Sequence, residues 1–224
     1  MSKRRLIVTG CGRSGTQFMA ALLNALGIKC RHERIYTSDL NPYDLLDRAL
    51  IEARWNGHDA EVSWLAVPFL PVIKDAVIVH LVRDPLKVLC CWNTHQLLSK
   101  ESDISRFIKK YVLVCGDGPD IDRNIAYCLY WNRLLETNCA HLLGFRYRVE
   151  NLAEMGFSDC LKVAGYNISD EDLSAAVSSI PTDIGKCPDM HVPEPTWRDI
   201  ITRPLGGALK EMAHLYGYST SVDT

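Results

Sequence analysis

The stretch LIVTGCGRSGTQFM, residues 6–19, runs from an apolar segment through three glycines into an amphipathic one. Such a strand, glycine turn and helix present free backbone N–H groups and the positive end of a helix dipole to an anion. Two nucleotide motifs overlap here. Gly10, Gly12 and Gly15 satisfy the dinucleotide fingerprint G-x-G-x-x-G, and Gly10 and Gly15 also have the G-x-x-x-x-G spacing of a P-loop. A nucleoside-triphosphatase loop continues with Lys and Ser/Thr for the phosphates and Mg²⁺, but Gly15 is followed by Thr16 and Gln17. The cation stands earlier, at Arg13, with hydroxyls at Ser14 and Thr16. Charge and donors without provision for Mg²⁺ suit a metal-free phosphate or sulfate anhydride.

The 224 residues are 47% hydrophobic and 23% charged, enough for one well-buried domain, and a single domain spanning 1–224 is expected. A formal net charge of -2 gives no basic excess, which argues against nucleic acid as a partner and for a small anionic ligand. No window approaches the roughly 20 apolar residues of a membrane span. The start MSKRR leads into a short strand rather than a secretory segment, so a cytoplasmic protein is expected. The nine cysteines show neither a C-x-x-C pair nor zinc spacing, and Cys30, Cys128 and Cys139 sit in apolar contexts, so reduced core cysteines and no metal are expected.

Working outward from the glycine turn, residues 5–9 read as a strand and 14–26 as a helix with Phe18, Leu22, Ala25 and Leu26 on one face, ended by Gly27. Residues 28–33 read as a short second strand, 41–53 as a helix, and 63–70 as an apolar run broken by prolines. The region 37–71 reads as a substrate-side insertion. Residues 77–82, VIVHLV, have the β-branched continuity of a central parallel strand, and Pro85 suits the start of a helix. A long helix over 120–140, a strand over 142–149, a proline-rich excursion over 178–196 and a helix over 205–216 follow. This alternation predicts an α/β three-layer sandwich with a mostly parallel central sheet.

GCGRSGTQFM resembles the 5′-phosphosulfate loop of the sulfotransferases, which use 3′-phosphoadenylyl sulfate (PAPS); the tyrosylprotein type has the same Arg-Ser-Gly-Thr. VHLVRDPLKVLCCW resembles the family's 3′-phosphate motif, an Arg at a strand end and a Ser eight residues later. Arg83 matches the Arg; Cys91 holds the serine's place, and a thiol is a weak donor. RYRVENL, residues 146–152, is similar to the family's strand ending in Tyr-Glu-Asp-Leu, with Val149 in the tyrosine's place, and PTWRDI followed by a helix to YGY is similar to the end of many bacterial members. The resemblance implies P-loop NTPase-like topology and a sulfotransferase that moves a sulfonate from PAPS to a hydroxyl or amine and releases PAP. It implies a donor site of Gly12, Arg13, Ser14, Gly15, Thr16, Gln17, Arg83 and Cys91. Trp92 and Tyr147 are guesses for an adenine-stacking ring.

Sulfonate transfer needs a general base at the acceptor and a cation at the leaving phosphate. Arg13 suits the second role. Glu33, twenty residues after Arg13, stands close to where tyrosylprotein-type relatives place a catalytic Glu, with His32 behind it as the second candidate. His80, inside VIVHLV, reads as a core histidine. A glycan, a lipid head group, a small metabolite or a peptide all fit as acceptor. Two other readings stand beside this one: an NAD(P)-dependent oxidoreductase, with Glu33 18 residues after Gly15 as the ribose ligand, and a non-catalytic nucleotide-binding module.

Overall fold

The computed structural model describes residues 3–40, 47–96, 98, 100–112, 118–153, 155–185 and 193–221, with the side chains of Arg48 and Leu143 left aside. In chain order the elements are β1 (Arg5–Gly10), α1 (Thr16–Ala25), β2 (Cys30–His32), α2 (Arg48–Trp55), β3 (Ala60–Val62), a 3₁₀ helix (Trp64–Val72), β4 (Ala76–Val82), α3 (Pro85–His95), α4 (Asp103–Tyr111), α5 (Asp120–Asn138), β5 (Leu143–Arg148), a 3₁₀ turn (Val149–Asn151), α6 (Phe157–Val163), α7 (Asp170–Ser179), α8 (Trp197–Ile201) and α9 (Gly206–Leu215). They group into two compact units, one of Met1–Val82 with Leu135–Lys186, the other of Arg83–Leu134 with Cys187–Thr224.

The first unit holds a five-stranded sheet in the order β2-β3-β1-β4-β5, with every pair parallel. The α/β class and the parallel sheet expected from the alternation of elements are thus present, with P-loop-like topology. β1 and β4 are central, and all seven residues of β4 are buried, which is why both read as continuous apolar runs. Leu6, Val8, Val62, Val77, Val79 and Leu81 pack on one face with Met19, Leu22 and Leu23 of α1, Phe157 and Leu161 of α6 and Leu173 of α7. Each fully buried side chain of this kind contributes about 1.5–3 kcal/mol. On the other face Ile7 stands in register with Glu61 and Ile78, and the 3₁₀ helix Trp64–Val72 packs against β1.

Several expectations are corrected in detail. α1 starts at Thr16 rather than 14, because Gly15 is its N-cap in the left-handed region. Its buried stripe is Met19, Leu22 and Leu23; Phe18 and Leu26 lie at the margin and Ala25 is exposed. The helix expected over 41–53 runs from Arg48 to Trp55 behind an Asp47 cap, and residues 41–46 lie outside the described set. The supposed insertion 37–71 supplies β3, inserted between β1 and β2. Three residues with a carboxylate in the middle carry no strand signal of their own; hydrogen bonding from both neighbours makes the strand. The run 63–70 forms a 3₁₀ helix, in which Pro68 and Pro71 are tolerated.

In the second unit Asp84 caps α3 by accepting from the Leu86 amide at 3.0 Å, with Pro85 in the first turn as expected. Its aromatic core joins Trp92, Tyr127, Trp131, Phe107 and Tyr111 through ring contacts of 4.4–6.1 Å. α9 keeps the expected final helix, and Gly206 is required where it approaches α8: a Cβ there would lie 1.8 Å from the Ile200 carbonyl oxygen. Among the described residues no helix is long and apolar enough to cross a membrane.

Candidate active site

β1 delivers the chain to residues 11–15, and the sheet order reverses at β1, with β3 and β2 to one side and β4 and β5 to the other. The crevice beyond the carboxyl end of such a strand is where open α/β sheets bind ligands. Gly10 lets β1 approach β4: a Cβ there would stand 2.1 Å from the Leu81 carbonyl oxygen. The turn closes with the Ser14 amide donating to the Cys11 carbonyl at 3.0 Å. Arg13 and Gly15 are both left-handed, at φ 72° and 97°, and a Cβ on Gly15 would also meet Val149 at 2.7 Å. Arg13 is the telling case, because a non-glycine residue in that region is held there by its surroundings at a cost of order 1 kcal/mol.

α1 begins with no side-chain cap and no acidic residue in its first turn. Its leading amides therefore meet no capping side chain, and amides so placed suit an anion. Gly12 is buried, Arg13 half-buried, Ser14 and Thr16 buried and Gln17 exposed. Ser14 Oγ is buried and makes no hydrogen bond within the described residues. Gln17 lies against Gly185, on whose Cβ position its Oε1 would close to 3.3 Å.

β2 brings the two base candidates to this turn. His32 Nε2 lies 3.1 Å from Thr16 Oγ1, at the first residue of α1, and 3.5 Å from Glu33 Oε1. Glu33 adopts φ 53°, while its amide continues the ladder to the Val62 carbonyl at 3.1 Å. Burial, then the nearby Arg34 charge, hold the His32 pKa below its usual value, so the imidazole is neutral at neutral pH. Burial raises the Glu33 pKa and the Arg13 charge opposes that rise. Arg13, Thr16, His32 and Glu33 thus form one electrostatically linked group with a neutral imidazole, a carboxylate of raised basicity and a cation. That set can bind an anion and accept a proton from a neighbouring hydroxyl.

A fifth residue completes the group. Glu61, in the middle of β3, is 0% exposed; one carboxyl oxygen accepts from the Arg34 and Ile35 amides at 2.8 and 3.0 Å, directly after Glu33. Burial pushes its pKa up to about 7, against the backbone hydrogen bonds that lower it. A lone carboxylate flanked by Ala60 and Val62 was the available signal for it in the sequence.

At the later corner, β4 ends at Val82 and Arg83 follows it directly. Cys91 lies on α3 and is 1% exposed. Of the aromatic guesses, Trp92 is buried against Tyr127, and Tyr147 is buried edge-on to Phe157 with its hydroxyl donating to the Gly156 carbonyl at 3.3 Å. Both rings serve their cores. His80 is a buried core histidine whose Nδ1 accepts from Arg146 Nε at 3.4 Å. Among the described residues no group of three or more His, Cys, Asp or Glu is arranged to hold a metal ion.

The sequence matches no protein-family model and none of the curated proteins. The structure, however, is similar to that of the sulfotransferase domain from the Synechococcus PCC 7002 olefin synthase, with a TM-score of 0.54 over 98% of each chain at 10% identity. The fold is that of a sulfotransferase domain. Within this sulfotransferase fold the glycine turn lies at the carboxyl end of the central strand, where the sheet order reverses.

Proposed function

We propose that the protein is a sulfotransferase that transfers a sulfonate from PAPS to a hydroxyl or amine of an acceptor and releases PAP, the whole chain acting as one sulfotransferase-like domain. The fold supports the class, and its likeness extends over 98% of the chain. The observation that carries the reading is the junction of the glycine turn with β2, where the Arg13 charge bears on Glu33 and Thr16 touches His32.

In this mechanism the turn from Gly12 to Gln17, with Ser14, Gly15 and Thr16, holds the 5′-phosphosulfate through amides, hydroxyls and the α1 dipole. Glu33 takes the acceptor proton as the acceptor oxygen attacks sulfur. The bond from sulfur to the bridging oxygen breaks in line, and Arg13 stabilises the charge gathering on the departing phosphate. His32, neutral and in contact with both Thr16 and Glu33, orients the base and is the second candidate for its role. Arg83 holds the 3′-phosphate, with Cys91 in the place of a serine contact. Thr16 and Gln17, in place of the Lys and Ser/Thr that follow the last glycine of a nucleoside-triphosphatase loop, support an anhydride held without Mg²⁺.

Calorimetry with PAP, NAD and ATP, each with and without Mg²⁺, tests the donor. Tight PAP binding that is indifferent to Mg²⁺ is expected, and a preference for NAD would overturn the proposal in favour of an oxidoreductase. Glu33→Ala separates enzyme from binding module: PAP binding survives, and transfer of radiolabelled sulfonate falls by about 100-fold or more. Labelled PAPS offered to fractionated cell extract, with mass spectrometry of what becomes labelled, identifies the acceptor among glycans, lipids, metabolites and peptides.

A further inference from the structure

We propose that Glu61 is a positioning residue for Glu33: its carboxyl, fixed in the central sheet, ties down the turn after β2 and so aims the base at the acceptor. The inference rests on Glu33 being the base. Glu33 has a left-handed backbone, φ 53°, which a side-chain-bearing residue keeps only where its neighbours over-determine it. On its own residue the constraint is the ladder bond from the Glu33 amide to Val62. On the far side it is Glu61 Oε1, which accepts from the Arg34 and Ile35 amides at 2.8 and 3.0 Å. Both anchors belong to β3, hydrogen-bonded between β1 and β2, so the base hangs from a strand held on both sides.

A buried carboxyl is a costly way to cap a turn, and a backbone carbonyl or a neutral amide would do so without the burden of desolvating a charge. What a carboxyl adds is coupling to charge. Burial is the main cause of the raised Glu61 pKa and the Glu33 carboxylate adds to it; likewise burial, and then Glu61, raise those of Cys30 and Tyr36. Arg31 is its register partner on β2 and is engaged with His58 and the Arg54 carbonyl, and Ile7 is its partner on β1. Arg5 also acts on Tyr36, which leaves Glu33 as the proposed catalytic group whose charge Glu61 feels. Proton uptake by Glu33 during transfer therefore eases ionisation of Glu61, and an ionised carboxylate grips the two amides more tightly.

The test compares Glu61→Gln, which keeps an acceptor oxygen, with Glu61→Leu, which does not, in the full chain. Transfer of radiolabelled sulfonate from PAPS to a simple phenol is expected to fall by about 100-fold in Glu61→Leu, the scale of a misplaced catalytic group, with PAP affinity retained. Glu61→Gln, which keeps the acceptor oxygen and loses only the coupling to Glu33, is expected to recover most of the rate. In protein labelled with carbon-13 at the glutamate carboxyls, one signal should titrate near pH 7, vanish in Glu61→Gln, and move to lower pH in Glu33→Gln. A folded Glu61→Leu that transfers at the wild-type rate, a Glu61→Gln that falls equally, or a Glu61 midpoint indifferent to Glu33→Gln would each overturn the proposal. If the wild-type chain binds no PAP and transfers nothing, the sulfotransferase reading fails. The carboxyl titration still decides whether Glu61 is coupled to Glu33, and it requires neither donor nor a variant that loses the turn.

Discussion

At the scale of single residues, Glu61 links the candidate site to the stability of the molecule. Folded, it keeps its proton up to about pH 7; in an unfolded chain it would release it near 4.5. The folded state therefore binds more protons between those values, and the stability present below about pH 4.5 is lost as pH rises through about 7. Glu61→Gln removes this loss. Thermal unfolding at pH 5 and pH 8 should show the variant gaining on wild type as pH rises, with a ceiling of about 3 kcal/mol for a shift of this size; a constant difference would count against the buried carboxyl. His32 slopes the other way, its lowered pKa removing stability as pH falls below 6.5, and the comparison of variant with wild type cancels it. Arg83 offers a second test at this scale. If it holds the 3′-phosphate, Arg83→Ala weakens PAP by roughly ten- to a hundredfold, the worth of a charged hydrogen bond, and leaves adenylyl sulfate nearly unaffected. Equal losses for both ligands, measured by calorimetry, would remove it from the site.

At the scale of elements, the glycines before and after the glycine turn and α1 meet two separable constraints. Gly10 is needed for space, since a Cβ would strike the Leu81 carbonyl at 2.1 Å and push β1 from β4; Gly27 is needed only for its backbone, φ 75°, with nothing within 4 Å of a Cβ. Gly10→Ala should therefore cost about 1–3 kcal/mol in urea unfolding, as overpacking does, and weaken PAP by displacing the turn. Gly27→Ala should cost about 1 kcal/mol and leave PAP binding unchanged. Equal effects of the two on PAP would mean that the approach of β1 to β4 does not shape the turn. Asp84→Ala, which removes the α3 cap, should cost about 1 kcal/mol.

At the scale of the whole molecule, a chain of formal net charge -2 binds an anion only through local arrangement, and the open end of α1 with Arg13 is such an arrangement. PAP at 100 times its dissociation constant should stabilise the protein by about 2.7 kcal/mol. For a chain of this length that is a rise in Tm of about 5–10 °C. The rise should be identical in EDTA and in Mg²⁺; one that needs Mg²⁺ would point to a triphosphate enzyme instead.

The amino-acid sequence by itself determined the elements whose signals are local. β1 and β4 are apolar because both faces are covered, α3 starts where Asp84 and Pro85 allow it, and the turn from Gly10 to Gly15 bends as its glycines permit. Arg13, without a following lysine, raises the expectation of an anion held without metal, which the binding measurements with and without Mg²⁺ test. Only the tertiary structure decided what depends on distant partners. β3 is a strand because β1 and β2 hydrogen-bond it from either side, and Glu61 holds the turn after β2 because residues 27 and 26 positions before it donate to its buried carboxyl. Trp92 and Tyr147 were plausible ligands until packing placed them in two cores. Periodicity records which side of an element is buried, whereas the contact of Thr16 with His32 and the reach of the Arg13 charge to Glu33 arise from parallel pairing across the sheet, which no stretch of sequence contains.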